Sequence, residues 1–220
     1  MNRQEIKTLA KKRFAENRWP MVLVALISSV LSGLVTFNSG AQVNLSYDVN
    51  GVSSGMNYTQ QNPVINIIAW LLGILVVNVI SIGVAKFFRE NIRQNKEVEV
   101  ILDGFKNNYL NNVLTMFVSG IFVALGIVCL IVPGIIVALG LALVPYILAA
   151  KPELGMMDTF KLSWELMKGH KWEYFVLCLS FIGWLILDVL TLGILGIFYV
   201  HPYLNQTQAV FCDRLLEGNL

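Results

Sequence analysis

The sequence predicts an all-α fold: a polytopic membrane helical bundle with six transmembrane helices. They pair as three loosely repeated helix-hairpin units, with amphipathic helices on the cytoplasmic side. Three observations predict it. Of 220 residues, 56% are hydrophobic and only 14% are charged, where a soluble domain carries about a quarter charged residues. Mean hydropathy is +0.65. The charges are also bunched: no Lys or Arg lies between Arg18 and Lys86, between Lys106 and Lys151, or between Lys171 and Arg214. A soluble domain of this length exposes too much surface to absorb such runs, so they read as membrane spans within one integral membrane domain, residues 1–220.

The chain opens on a basic helix over about residues 2–18. Ile6, Leu9, Ala10 and Phe14 recur at three- and four-residue spacing, and Lys7, Lys11 and Lys12 take other faces. This is the pattern of an amphipathic helix on the inner leaflet, with Trp19 at the interface. A secretory signal is the rival reading: basic Met1–Arg18, apolar Met21–Val35 and a cleavage-like Ser39-Gly40-Ala41. The basic region is long for that role and has a helical period of its own.

Spans follow at 20–37, 64–85, 113–132, 135–150, 174–190 and 192–204, since about 20 apolar residues cross a ~30 Å hydrocarbon core. The outer loop 38–62 is polar and lacks Lys and Arg. Val43, Leu45, Tyr47 and Val49 alternate there as in a short strand, and Asn44-Leu45-Ser46 and Asn57-Tyr58-Thr59 are chance matches to a glycosylation acceptor. Val132-Pro133-Gly134 separates the third and fourth spans as a helical hairpin; one helix over 113–150 would far exceed a bilayer. Pro145 and Pro202 each free a backbone carbonyl and predict kinks. The last two spans are short and turn near Thr191-Leu192-Gly193. In this layout all 16 Lys and Arg fall on one side, which the positive-inside rule makes cytoplasmic, with both termini there.

The approaches to the odd-numbered spans resemble one another: FAENRWPMVLV, FKNNYLNNVLT and MKGHKWEYFVL. Apolar stripes precede the third and fifth: Val98, Ile101, Leu102, Phe105 and Tyr109, then Met157, Phe160, Trp164 and Met167. The exits LVPYILA and VHPYLNQ also echo. The expected unit is an interfacial helix, a span up, a turn and a span down. Tyr109, Lys168, Lys171, Trp172 and Tyr174 join Trp19 as headgroup residues. Each Lys or Arg near anionic lipid contributes about 1 kcal/mol.

Asp188 is the only charged residue inside a span. It lies ~21 Å from the inner boundary at ~1.5 Å per residue. A carboxylate at mid-span costs ~2.5–3.5 kcal/mol, and less near an interface. Two readings stand. One is a cation or proton site with Thr191 or Ser180. The other is an acid at a helix end that reaches outer water or caps the turn. Asn78, with Ser81 a turn on, suits an interhelical hydrogen bond. Gly134, Ala138 and Ala142, and Ser29-xxx-Gly33, are helix-packing faces. Cys129, Cys178 and Cys212 are scattered, so neither a disulfide framework nor a metal set is expected, and no cofactor motif occurs. His170 and His201 have no paired acid at ligand spacing. Glu165, His170 and Glu173 form the one acid–base trio to nominate, and an interface role explains them better.

The residues Pro133-Gly134, Leu143-Val144-Pro145-Tyr146, Asp158 to Ser163, MKGHKW and LSFIGW, and Pro202-Tyr203 together resemble one family. It is the domain-of-unknown-function 975 family, small integral membrane proteins of Gram-positive bacteria. The resemblance is strongest over about 130–215. More distantly, the layout is similar to the membrane domain of some glycerophosphodiester phosphodiesterases. The resemblance implies a multi-pass plasma-membrane location and a six-helix body. It brings no reaction and no catalytic residues, and without a phosphodiesterase domain that activity is not implied.

The expected function is therefore non-enzymatic: an envelope component that binds membrane lipids, anionic headgroups included, or other membrane proteins. The alternative is a small permease, exporter or lipid transporter using Asp188. Nucleic acid is not an expected partner. Thiol labelling of intact cells checks the orientation: a cysteine at Asn50 reacts with an impermeant probe from outside, whereas cysteines at Asn95 and Lys168 do not. The reverse pattern overturns it.

Overall fold

The computed structural model describes residues 3–37, 43–46, 55–58, 63–106, 108–129 and 131–218. The chain begins with α1 (Arg3–Glu16), α2 (Arg18–Phe37) and α3 (Pro63–Glu90), followed by a 3-10 helix over Val98–Phe105. Then come α4 (Tyr109–Cys129), α5 (Ile131–Leu141), α6 (Val144–Ala150), α7 (Met156–Leu166), α8 (Lys171–Leu179) and α9 (Ile182–Leu190). A π turn over Gly196–Val200 leads into α10 (His201–Glu217). Between α2 and α3, β1 (Val43–Ser46) pairs antiparallel with β2 (Gly55–Tyr58), Val43 opposite Tyr58. The expected strand is present over its first half; Tyr47 and Val49 lie outside the described residues. Among the described residues, three runs are long and apolar enough to cross a membrane: Tyr109–Val128, Val132–Ala150 and Lys171–Leu190.

Four prolines lie in the first turn of a helix: Pro20, Pro63, Pro133 and Pro145. There the missing N–H is one that no helical carbonyl would have accepted, so proline starts helices at no cost. This corrects the hairpin boundary. α4 ends at Cys129 and α5 begins at Ile131, so Pro133-Gly134 is already helical. Gly134 instead lets the two helices touch: a Cβ there would lie 2.6 Å from the Ile127 Cα. The fourth span breaks at Ala142-Leu143, ahead of Pro145, and the fifth breaks at Ser180-Phe181. The helix after the Thr191-Leu192-Gly193 turn does not end at Leu204, where the sixth span was expected to end, but runs on to Glu217. Next to Pro202 its ladder widens, and the His201 N–H reaches back to the Gly196 carbonyl.

The core lies at the end of the bundle that carries the lysines and arginines. There Ile6, Phe14, Met21, Phe87, Phe88, Ile147, Met167 and Phe211 are all buried. The α1 stripe is spent on this core. Ile6, Ala10 and Phe14 are buried as α1 packs on α10, the Tyr203 hydroxyl donates to the Lys7 carbonyl (3.4 Å), and Arg214 pairs with Glu5 (3.1 Å). The expectation that this stripe faces lipid is corrected: burial of Ile6 and Phe14 each stabilises the protein by about 1.5–3 kcal/mol. The other two stripes divide. Ile101 and Met167 turn inward, while Leu102, Phe105 and Met157 stay exposed. The three approaches differ in form too, since the second is a 3-10 helix. Away from the core the helices are bare: α9 has no buried residue, and only 17% of Tyr109–Val128 is buried.

Polar groups fix the register at the base. The Asn17 amide donates to Asn91 Oδ1 (2.6 Å) and to the Lys96 carbonyl (3.1 Å). The Asn91 amide reaches Gln206 Oε1 (3.5 Å), and Gln206 donates to the Phe88 carbonyl (3.1 Å). Beside them Arg89 holds Asp213 at 3.0 Å; burial pushes the Asp213 carboxyl up, while Arg89 and Arg93 draw it back down. Lys86 (2.7 Å) and Lys106 (2.9 Å) clasp Asp103 and hold its carboxyl below the ordinary range. Removing a partner from a buried amide costs about 1–3 kcal/mol. Thermal unfolding in detergent is therefore expected to show Asn91→Ala destabilised by about that amount; an unchanged melting temperature overturns the role given to this network.

Candidate functional site

The three-residue reversal Thr191-Leu192-Gly193 builds the site. Leu192 and Gly193 both take positive φ, 53° and 84°, and the Gly193 N–H donates back to the Asp188 carbonyl (2.9 Å). The chain thus doubles back tightly, and Asp188 comes to lie beside the start of the next helix. Its Oδ1 accepts the Gly196 N–H at 2.6 Å. Gly196 has no room for a side chain, because a Cβ would strike the carboxylate. This is N-terminal capping by an acid, which the positive end of a helix favours. The capping reading of Asp188 is therefore met.

The other carboxylate oxygen has a second partner. Asp188 Oδ2 lies 3.9 Å from His201 Nε2, longer than a hydrogen bond and an ion pair only when the imidazole is protonated. His201 Nδ1 in turn lies 3.2 Å from Ser29 Oγ on α2. Three elements, α2, α9 and α10, therefore supply a Ser29–His201–Asp188 chain. This corrects the expectation that His201 has no paired acid. The turn brings together residues thirteen positions apart. Ser29, read as a helix-packing residue, is the partner that sequence reasoning missed. One signal was there: a lone histidine in an apolar run, just past a glycine turn from the sole intramembrane acid.

A cavity of about 390 Å³ opens between α2 and α10, lined by Ala25, Ser28, Ser29, His201, Leu204 and Asn205. That size suits a small ligand. His201 stands at its wall with Asp188 behind it. Below, the Tyr146 hydroxyl donates to the Asn205 carbonyl (3.4 Å) and to Gln208 Oε1 (3.3 Å), which fixes this part of α10. A neutral imidazole donates at one nitrogen and accepts at the other; a protonated one donates at both. The arrangement can therefore hold or release a proton beside the cavity.

The remaining nominated residues sit elsewhere. Thr191 donates to the Asp188 carbonyl (3.1 Å) and accepts the Leu195 N–H (3.2 Å), so it shapes the turn. Asn78 is half-buried on α3, where its carbonyl accepts Ser81 Oγ (2.7 Å); it is not in the described cavity lining. Trp19 and Trp172 are more than 70% exposed and Tyr109 and Lys168 are exposed. Lys171 Nζ lies over the Trp164 ring at 3.4 Å. Tyr174 departs from the headgroup expectation: it is 5% exposed and packs on Phe211, centroids 5.1 Å apart. Pro145 lies in the first turn of α6, and Pro202 lies where the π turn runs into α10. Of the acid–base trio, His170 Nδ1 meets Glu173 Oε2 at 3.0 Å, and Glu165 is exposed. Among the described residues no cluster of His, Cys, Asp and Glu has metal-ligand geometry.

The cap can be separated from the charge. In Asp188→Asn the amide oxygen still accepts the Gly196 N–H. In Asp188→Leu that donor loses its partner, at a cost of about 1–3 kcal/mol. Melting in detergent is expected to show the leucine variant destabilised by this amount and the asparagine variant close to the parent. Equal behaviour of the two overturns the capping role.

No curated protein and no solved structure matches the chain. Residues 67–219 match a family described as Protein of unknown function (DUF975). The match runs from within α3 to the end of α10, so it contains Asp188 and His201 and omits Ser29. It covers well over half of the sequence, and the chain belongs to the DUF975 family.

Proposed function

We propose that the chain is a small carrier, a permease or exporter, that takes its substrate into the cavity between α2 and α10. One observation carries this reading: a titratable Ser29–His201–Asp188 chain stands at the wall of a 390 Å³ cavity in a bundle with helices apolar enough to cross a bilayer. Ionisable groups within such helices mark substrate or proton pathways, because their burial is otherwise a net cost. A packed, dry interface between α2 and α10 would have suited a purely structural partner.

The carrier has six crossings of the plasma membrane and cytoplasmic termini. The segregation of all 16 basic residues supports this orientation. The lengths of α2 and α3, 20 and 28 residues, support two crossings beyond the three that qualify by hydropathy alone. The break at Ala142-Leu143, the break at Ser180-Phe181 and the π turn are places where helices can bend, and interrupted helices beside a site are a recurrent feature of transporters. Lipid docking at the basic face is a second and compatible role. Its support is the exposure of Trp19, Leu102, Met157 and Trp172 next to lysines and arginines.

A carrier exposes its site to both sides in turn. Ser28→Cys, in a background lacking Cys129, Cys178 and Cys212, tests this. In right-side-out and inverted vesicles alike, the introduced thiol is expected to react with a membrane-impermeant reagent. Labelling from one face only, or from neither, overturns the carrier reading.

A further inference from the structure

We propose that the cavity's ligand is a small monovalent cation, an alkali ion or a compact organic ammonium, and that it exchanges for a proton carried on His201. The proposal rests on the carrier reading above and names its substrate class.

The charges around His201 are few. Toward it α2 presents Ser28 and Ser29, α9 presents Asp188, and α10 presents Asn205. Lys7, Arg13 and Arg18 are engaged elsewhere, Arg13 by Glu16 at 2.8 Å. Lys7 Nζ lies over the Phe181 ring (4.6 Å), and the Arg18 guanidinium lies over Phe14 (5.9 Å). On α3, Lys86 and Arg89 are held at the base by Asp103 and Asp213, and Glu90 by Lys96. Among the described residues, Asp188 is therefore the one charged group that pairs with His201. With a neutral imidazole the site has a net charge of minus one. Its lining adds neutral oxygens from Ser28, Ser29 and Asn205. A carboxylate behind His201, capped by one backbone N–H, and neutral oxygens on the cavity wall together favour a cation over an anion.

Protonation of His201 reverses the preference. The imidazolium satisfies Asp188 and sets a positive charge on the cavity wall. The hydrogen bond to Ser29 turns over at the same time. The neutral ring with its proton on Nε2, toward Asp188, leaves Nδ1 to accept the Ser29 hydroxyl proton, so the Ser29 lone pairs face the cavity. The protonated ring donates from Nδ1 to Ser29 Oγ, and the hydroxyl proton then points into the cavity. One cation thus enters as one proton leaves Nδ1. Charge is conserved, and no further reactant is needed. A cavity of about 390 Å³ admits a hydrated alkali ion or a small alkylammonium.

The test uses the full chain in liposomes that hold a trapped pH dye, acidic inside. Sodium, potassium and tetramethylammonium are added outside in separate runs. At least one is expected to drive proton efflux tenfold above protein-free liposomes. Its apparent KM is expected to rise about tenfold per unit of acidification in the range that protonates His201, since the competent fraction falls in that proportion. Asp188→Asn, which keeps the oxygen that caps Gly196, is expected to lose the flux. His201→Gln, which has no titratable group to carry the proton, is expected to lose the cation-driven proton efflux. Both variants are first matched to the parent in elution and melting. Three results overturn the proposal: no cation-driven efflux, a parent KM indifferent to pH, or parental flux in Asp188→Asn. If efflux is absent while Ser28→Cys still labels from both faces, the substrate class is wrong and the carrier stands. If that labelling fails too, both fall.

Discussion

Buried amides must find partners, and here that requirement sets the register of the bundle. Asn91 and Gln206 are fully buried and Asn17 nearly so. Asn17 sits at the α1–α2 junction, Asn91 just beyond α3 and Gln206 on α10. Their hydrogen bonds close only when all three elements stand at one relative height. Sliding one helix by a turn would strand several donors in a low-dielectric core, where each is costly. Apolar packing of Phe87, Phe88 and Phe211 supplies attraction but little register, since one hydrophobe can replace another.

The site further up depends on that register. Ser29 is on α2 and His201 on α10, and they meet at 3.2 Å because Asn17 and Gln206 fix the same two helices below. Tyr146, donating to Asn205 and Gln208, pins α10 between base and cavity. Asp188 arrives from the opposite direction through the Leu192-Gly193 turn. A single carboxylate then does two things: one oxygen caps Gly196 and the other faces His201. The cap orients the acid, which leaves the imidazole as the group able to change state.

The α1 helix shows how an amphipathic stripe can be misassigned. Ile6, Ala10 and Phe14 have the spacing of a lipid-facing stripe, yet α10 offers them a complementary surface and takes them. The stripe and its surface are equally apolar toward lipid or protein, so periodicity marks the buried side without naming what covers it. The reverse holds for α9. Its residues would look like a core in a soluble protein, but none is buried, and hydrocarbon outside the protein is the solvent that suits them.

Local chemistry was legible in the sequence. Hydropathy gave the helical class and the approximate runs, and Gly193 marked the reversal, because each of these depends on residues adjacent in the chain. Asp188 stood out because a carboxylate in an apolar run is expensive wherever it lies. The partners were not legible. Ser29 and His201 are 172 positions apart, Asn17 and Asn91 are 74, and nothing in a serine's own neighbourhood separates a packing residue from one that faces an imidazole. Tyr174, aromatic at a boundary, could as well have faced headgroups as Phe211 until the helices were assembled. Sequence by itself determined which segments are helical and apolar and where charge is expensive. The tertiary structure alone decided which polar groups meet, because that depends on the heights and rotations at which separate helices pack.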